Sequence, residues 1–438
     1  MKNSQELNLR EISNFAANIH SNFNEGHDFE HIQRVVELAK ELLQDYPQAD
    51  EFLVLAACYL HDTYDEKLFD DSIKQKEAVK EFLESLGLGD DIIRQLFSII
   101  DNMSFAASLD GKAPLDLNGQ IVQDADRIDS LGPIAVTRAL QFGWYHNIPL
   151  YNPEEVAQTF TSKEDYRKAD SSTITHFKER LFLLKDMLNT KKAQDMCFER
   201  DKFIRDFVAA IEAEWVMDNP DLINDEKLVK IRDFAYNIHS EINDGHDFNH
   251  IRRVAGLAQK ILETYSHVDK FTVLATVYLH DCYDQKLFVD SLEQKAKVID
   301  FLSKLEIEQD IIDKIIYIID NMSFFANIDG QKKLNLVGQI VQDADRLDSM
   351  GAIAINRALE YGWSHSRKLY DPSVKPRQDL SKDEYRNSEG TTINHFYEKL
   401  FLLSDKLNTE EARELAKGRN QIMHDFVTGI ERDWIEVS

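Results

Sequence analysis

Tyr59-Leu60-His61-Asp62-Thr63-Tyr64-Asp65 closes an apolar run that begins near Ala49. The same pattern returns as Tyr278-Leu279-His280-Asp281-Cys282-Tyr283-Asp284. Leu53, Leu55, Ala56, Ala57 and Leu60 belong in a buried helix. An adjacent His-Asp at the end of such a helix is a costly pair of polar groups to bury. A carboxylate there requires a partner charge or a metal ion.

Outward from this stretch, the sequence repeats with an offset of 219 residues. His27 corresponds to His246, His61 to His280, Asp126 to Asp345 and Trp144 to Trp363, with no gap. Two units, 1–219 and 220–438, account for the 438 residues. The expected junction is Asp218-Asn219-Pro220-Asp221, which has a proline and no apolar periodicity. This is a duplicated domain rather than a short-period solenoid. Twelve of the 14 histidines fall into six pairs at this offset. The cysteines do not: Cys58 faces Val277, Cys197 faces Ala416 and Cys282 faces Thr63. A cysteine that the other copy lacks is a poor candidate for a shared ligand or nucleophile, and reduced, unpaired thiols are expected.

The composition narrows the class. A hydrophobic fraction of 43% supports a substantial core, and only 16 Gly and 8 Pro interrupt it. The net charge of −27 argues against binding nucleic-acid polymers or anionic membranes. It leaves room for a small phosphorylated substrate held by local cations. Met1–Arg10 lacks the apolar core of a signal peptide, and no apolar run is long enough for a transmembrane helix, so a cytoplasmic protein is expected.

Read in order, the first unit is all-α. Helices are expected over 8–23, from Asp28 (as N-cap) to about 43, and over 49–64, 73–86, 92–103, 117–131 and 134–142. Asn147–Thr161 reads as an irregular, lid-like segment. Long helices are expected over 162–188 and 190–215, with Trp144 and Trp215 in the core. No period-2 segment requires a sheet. Across three of these helices, His31, His61, Asp62 and Asp126 supply two imidazoles and two carboxylates. This set suits Mn²⁺, Fe²⁺, Zn²⁺ or Mg²⁺. Asp124 and Asp126 project about 200° apart on a helix, so only one of them should face the ion. Asp129, one turn on, is expected to support the ligands or to order Arg127. His250, His280, Asp281 and Asp345 repeat the set, with Asp343 and Asp348.

His31, His61-Asp62 and the distant Asp126 resemble the ordered H…HD…D signature of the HD-domain metal-dependent phosphohydrolases. The strings GHDFEHIQRV (26–35) and QDADRIDSLG (123–132) are similar to the YedJ/YpgQ-like bacterial subgroup. The resemblance spans each unit nearly end to end. It implies two all-helical HD domains and one divalent ion per domain, Mn²⁺ foremost, with Mg²⁺, Fe²⁺ or Zn²⁺ as alternatives. It also implies hydrolysis of a phosphoanhydride or phosphoester bond, with a nucleotide as the expected substrate. The interval between Asp62 and Asp126 holds no histidine, and neither does its copy. Binuclear relatives draw further ligands from that interval, so one ion per site is expected. Asp65 and Asp284 are the candidate proton acceptors. His27, Arg34, Lys67 and Arg127 are the candidate substrate contacts, repeated as His246, Arg253, Lys286 and Arg346. The two units are expected to pack on each other. The alternatives are a phosphatase for another small phosphorylated metabolite and a non-catalytic metal- or nucleotide-binding sensor.

Overall fold

The computed structural model describes residues 2–21, 28–66, 68–105, 109, 111, 114–240, 247–285, 287–327, 332–377 and 390–434. His27, Lys67, His246 and Lys286 lie outside the described residues. Among the described residues there is no strand, and none of the helices is long and apolar enough to cross a membrane.

In the first copy, the helices are α1 (Lys2–His20), α2 (Phe29–Leu43), α3 (Glu51–Leu60), α4 (Ser72–Ser85), α5 (Asp90–Met103), α6 (Leu117–Asp129) and α7 (Pro133–Tyr145). Short polar side chains start several of them by accepting otherwise unpaired backbone N–H groups. Asp28 accepts from His31 at 2.9 Å, Asp50 from Leu53 at 3.1 Å and Asp116 from Gly119 at 2.9 Å. At α5 the cap position is Gly89, with Asp90 and Asp91 in the first turn rather than at the cap. Gly132, at φ +90°, turns the chain before Pro133 opens α7.

Helix α3 is the hub. Phe52 to Cys58 and Leu60 are all buried, and α3 packs against α1, α2, α5 and α6. Helix α2 lays Ile32, Val35, Val36, Ala39 and Leu42 onto α3 and α6. This packing brings the first turn of α2, the C-terminus of α3 and the last turn of α6 to one place. The second copy repeats the arrangement with helices Glu226–His239, Phe248–Thr264, Lys270–Leu279, Ser291–Lys304, Gln309–Met322, Leu336–Asp348 and Ala352–Ser364.

Beyond α7 the sequence expectation needs correction. Residues 162–188 do not form one helix. Lys163–Arg167 ends early, and helical structure resumes at Thr173. The cause is competition for the backbone. Ser172 N–H donates to Glu155 Oε2 at 2.9 Å, Thr173 N–H to Pro149 O at 3.0 Å and Ile174 N–H to Leu150 O at 3.0 Å. These donors tie the segment to the irregular stretch before it. A π-helical turn, Phe177–Leu181, follows. The expected helix over 190–215 is likewise two, Lys191–Met196 and Phe198–Glu214, interrupted at Cys197. Trp144 is not core: it is 39% exposed, on a stretch with exposed Phe142 and Tyr145. Trp215 is only partly buried. All three cysteines are buried and unpaired.

Contacts gather the chain into two compact units, Met1–Val208 with Gly429–Ser438, and Ala209–Thr428. In the second unit Glu214 accepts the N–H groups of Ala352 and Ile353, both at 3.0 Å, capping that helix.

Gly143 allows α7 to approach Thr173: a Cβ there would lie 2.2 Å from Thr173 Oγ1. Gly143→Ala should therefore destabilise the first unit by about 1–3 kcal/mol, the usual cost of overpacking. Thr173→Ala in the same chain should recover part of that loss. Urea midpoints of the three chains would check this, and an unshifted midpoint for Gly143→Ala would refute the close approach.

Candidate metal centre

The site is assembled from three helix ends. His31 lies in the first turn of α2, where Asp28 fixes its backbone. His61 and Asp62 follow the last residue of α3, and Asp126 lies on α6. His31 Nε2 and His61 Nε2 are 3.2 Å apart. His31 Nε2 is 3.6 Å from Asp62 Oδ2 and 3.6 Å from Asp126 Oδ1. His61 Nε2 is 3.4 Å from Asp62 Oδ1 and 3.8 Å from Asp126 Oδ1. The second copy repeats this, with 3.3 Å between His250 and His280 and 3.5–3.7 Å from each imidazole to Asp281 and Asp345.

Donor atoms of His31, His61 and Asp126 in the first unit, and of His250, His280 and Asp281 in the second, all lie within 4.8 Å of one another, close enough to share one divalent cation. Arms of about 2.1 Å place neighbouring donors roughly 3.0 Å apart at right angles and roughly 3.4 Å apart in a tetrahedron. Both imidazoles present the correct nitrogen. His61 Nδ1 donates to the Cys58 carbonyl at 2.8 Å, and His280 Nδ1 to the Val277 carbonyl at 2.7 Å, leaving each Nε2 lone pair free. The acceptor is backbone, so Cys and Val serve equally at this position.

Asp129 supports the other imidazole. His31 Nδ1 donates to Asp129 Oδ2 at 2.7 Å. Arg34 Nε donates to Oδ1 at 2.7 Å, and Arg138 Nη1 to Oδ2 at 2.9 Å. Burial alone would raise the Asp129 carboxyl, but Arg34, then His31 and Arg138, hold it well below the usual carboxylate range. Burial and the Arg138 guanidinium push His31 down to about 4 against the pull of Asp129. With Nδ1 given to Asp129, it is Nε2 of His31 that is turned toward His61, Asp62 and Asp126. Arg253, Asp348, Arg357 and His250 form the same cluster.

The sequence candidates divide accordingly. His31, His61, Asp62 and Asp126 meet, and Asp65 stands with them on the wall of a cavity of about 770 Å³. Asp124 faces away. Fully buried, it accepts from Asn189 N, Thr190 N and Thr190 Oγ1 at 2.7–2.8 Å and anchors the helix that begins at Lys191. Asp343 does the same for Asn408 and Thr409. Arg34 and Arg253 are occupied by Asp129 and Asp348, and Arg34 is not among the residues lining the first-unit cavity. Arg127 and Arg346 donate to the carbonyls of Met187 and Lys406. Asp129 therefore orders Arg34 and His31 rather than Arg127. Asp101 lines the cavity, where it accepts from Tyr64 Oη at 3.1 Å and is paired with Lys76.

Sequence reasoning missed Arg138, Lys76, Lys163 and Arg180, the basic residues on the cavity wall, and the aromatic pair Phe105 and Tyr166. Retention was a usable signal. Arg357, Lys295, Lys382, Phe324 and Tyr385 preserve five of the six across the offset, and Lys399 preserves the charge of the sixth.

The family model described as "HD domain" matches residues 28–131 and 247–350. The uncharacterised protein YpgQ of Bacillus subtilis is 34% identical over 205 residues, 47% of this chain and 92% of its own. Its crystal structure in complex with ADP matches at 32% identity, covering 47% of this chain and 97% of that one, with a TM-score of 0.37. A structure described as an HD-superfamily hydrolase, from Bacillus thuringiensis, matches at 33% identity, with 48% and 97% coverage and a TM-score of 0.38.

Asp129→Asn would leave two guanidiniums without their buried counter-charge, which should cost about 3–5 kcal/mol at neutral pH. It should also weaken Mn²⁺ binding by about 10- to 100-fold in that unit. Because the folded pKa is depressed, the wild-type advantage is complete above the unfolded carboxyl value of about 3.9. It declines as pH falls below that value toward the folded one. Urea unfolding of both chains from pH 8 to pH 3 reads this out. A constant difference across that range would exclude the ion-paired carboxylate.

Proposed function

Because the chain belongs to the HD-domain family of hydrolases and carries the domain twice, we propose that it is a metal-dependent phosphohydrolase that cleaves a phosphoanhydride or phosphoester bond of a nucleotide. The observation that carries this reading is the convergence of His31, His61 and Asp126, with Asp62 beside the two imidazoles, on a cavity containing both cationic and aromatic side chains. At about 770 Å³, the cavity lies within the roughly 300–1,000 Å³ range typical of small-molecule sites.

His31, His61, Asp62 and Asp126 would hold the ion in the first unit, and His250, His280, Asp281 and Asp345 in the second. When bound, a divalent cation lowers the pKa of a water molecule and withdraws electron density from a phosphoryl oxygen. Asp65, on the cavity wall, is placed to orient a water molecule or accept its proton, and Asp284 repeats it. Arg138 and Arg180 offset the negative charge of a phosphate chain. Phe105 and Tyr166, with ring centroids 5.5 Å apart and planes inclined at 64°, offer two separate ring faces of the kind on which a base stacks. The nucleotide class is also supported by YpgQ, the relative crystallised with ADP.

Nucleoside triphosphates in Mn²⁺ should yield nucleoside monophosphate and pyrophosphate. His61→Ala/Asp62→Ala and His280→Ala/Asp281→Ala should each retain part of the activity, and the combined variant none. Chromatography of products from a panel of mono-, di- and triphosphates provides the check. Release of inorganic phosphate alone would favour a phosphatase. Binding of metal and nucleotide without turnover would favour a sensor.

A further inference from the structure

Arg180 is unusual among the basic residues of the first cavity. Lys76 is paired with Asp101, Lys163 with Glu66 at 3.0 Å and Arg138 with Asp129. Arg180 has no carboxylate partner among the described residues, and its Nε is buried without a hydrogen-bond acceptor. It lies on the cavity wall, with its guanidinium carbon 5.8 Å from the centre of the Phe105 ring. The residue is half-buried, but leaving the buried Nε donor unpaired is costly, and the cost is offset when an anion accepts from it.

The backbone is also irregular at this residue. Arg180 belongs to the π-helical turn Phe177–Leu181. In the second copy Lys399 takes the position, at φ −141° and ψ −59°, between the helix Thr392–Glu398 and the 3₁₀ turn Leu400–Lys406. Lys399 Nζ lies 5.8 Å from the centre of the Phe324 ring, reproducing the Arg180–Phe105 contact. Burial lowers its pKa, opposed first by Asp345 and also by Asp284. Its charged neighbours are therefore Asp345, a candidate metal ligand, the guanidinium of Arg357, and Asp284, the candidate proton acceptor. Regular α-helical geometry is thus interrupted at the same position in both copies, where a cation lies near the corresponding aromatic ring.

We propose that Arg180, and Lys399 in the second unit, form the anion seat of each pocket, receiving the phosphoryl oxygens of the substrate that point away from the metal-ligand cluster. This rests on reading the pocket as a phosphoryl-binding site, but not on the substrate being a nucleotide. The two seats also differ. A guanidinium offers a planar fork that holds two oxygens together, whereas an ammonium acts as a point charge. The first unit should therefore hold a phosphate chain more tightly and in a more fixed orientation than the second.

The test uses the full chain loaded with Mn²⁺ and inorganic pyrophosphate as the probe, with binding followed by calorimetry. The first unit is isolated by His280→Ala/Asp281→Ala, and the second by His61→Ala/Asp62→Ala. Arg180→Ala should weaken pyrophosphate about 10- to 100-fold, the size expected for lost charge-assisted hydrogen bonds. Arg180→Lys should weaken it less. Lys399→Ala should abolish most binding in the second background, and Lys399→Arg should tighten it. Unchanged Mn²⁺ stoichiometry and circular dichroism identify a folded variant, and Arg180→Met provides a second apolar replacement that keeps the stem. Pyrophosphate affinity unchanged in folded Arg180→Ala or Arg180→Met, or no pyrophosphate binding to the parent, would overturn the proposal. Arg180-dependent binding in a chain that turns over no nucleotide would sustain the anion seat and reject the nucleotide reading. Normal nucleotide turnover with Arg180-independent binding would do the reverse.

Discussion

Everything in the site depends on the carboxylate of Asp129. It is buried at the end of α6 and bonded to His31, Arg34 and Arg138, which come from α2 and α7. An ion pair buried this deeply is a weak source of stability, because desolvation consumes much of the attraction. Its value here is positional. One carboxylate fixes the tautomer of a ligand imidazole, holds two guanidiniums and ties three helices together where the ligands must converge. The second copy uses Asp348 in the same way, with His250, Arg253 and Arg357.

Helical periodicity separates the neighbouring acids into distinct tasks. Asp126 faces the ligand cluster, and Asp129, one turn later, stands behind it. Asp124 points away and takes up the backbone donors of Asn189 and Thr190. A short segment thus supplies a ligand, a support for another ligand and a helix cap. The caps and the site are built from the same kind of residue, an aspartate accepting hydrogen bonds. Only the direction of projection separates their roles.

That direction explains what could be read in the sequence. Apolar periodicity and capping residues placed α2 to α7 to within a few residues, and the His and Asp pattern singled out imidazoles and carboxylates that the fold gathers at three helix ends. The roles of the basic residues were not legible. Arg34 and Arg127 lie near the ligands in sequence, but their side chains run to Asp129 and to the Met187 carbonyl. Arg180 lies far away in sequence and reaches the wall through a turn that periodicity did not anticipate. The broken helix after Ser162 was also hidden, because its backbone donors go to residues 149–155, and local propensity contains no record of that competition.

Around an unchanged centre, the cavity wall differs between the two copies at a few positions. Ser171 corresponds to Gly390, Phe142 to Tyr361, Ile148 to Arg367 and Arg180 to Lys399, while the ligands, Asp65 and Asp129 are kept. If these walls prefer different molecules, joining them in one polypeptide has an effect on dosage. Two separate genes can drift in expression, and two separate proteins can be degraded at different rates. One translated chain delivers both pockets in equal number, so the balance between their activities can be changed only by substitution within the protein or by the supply of substrate.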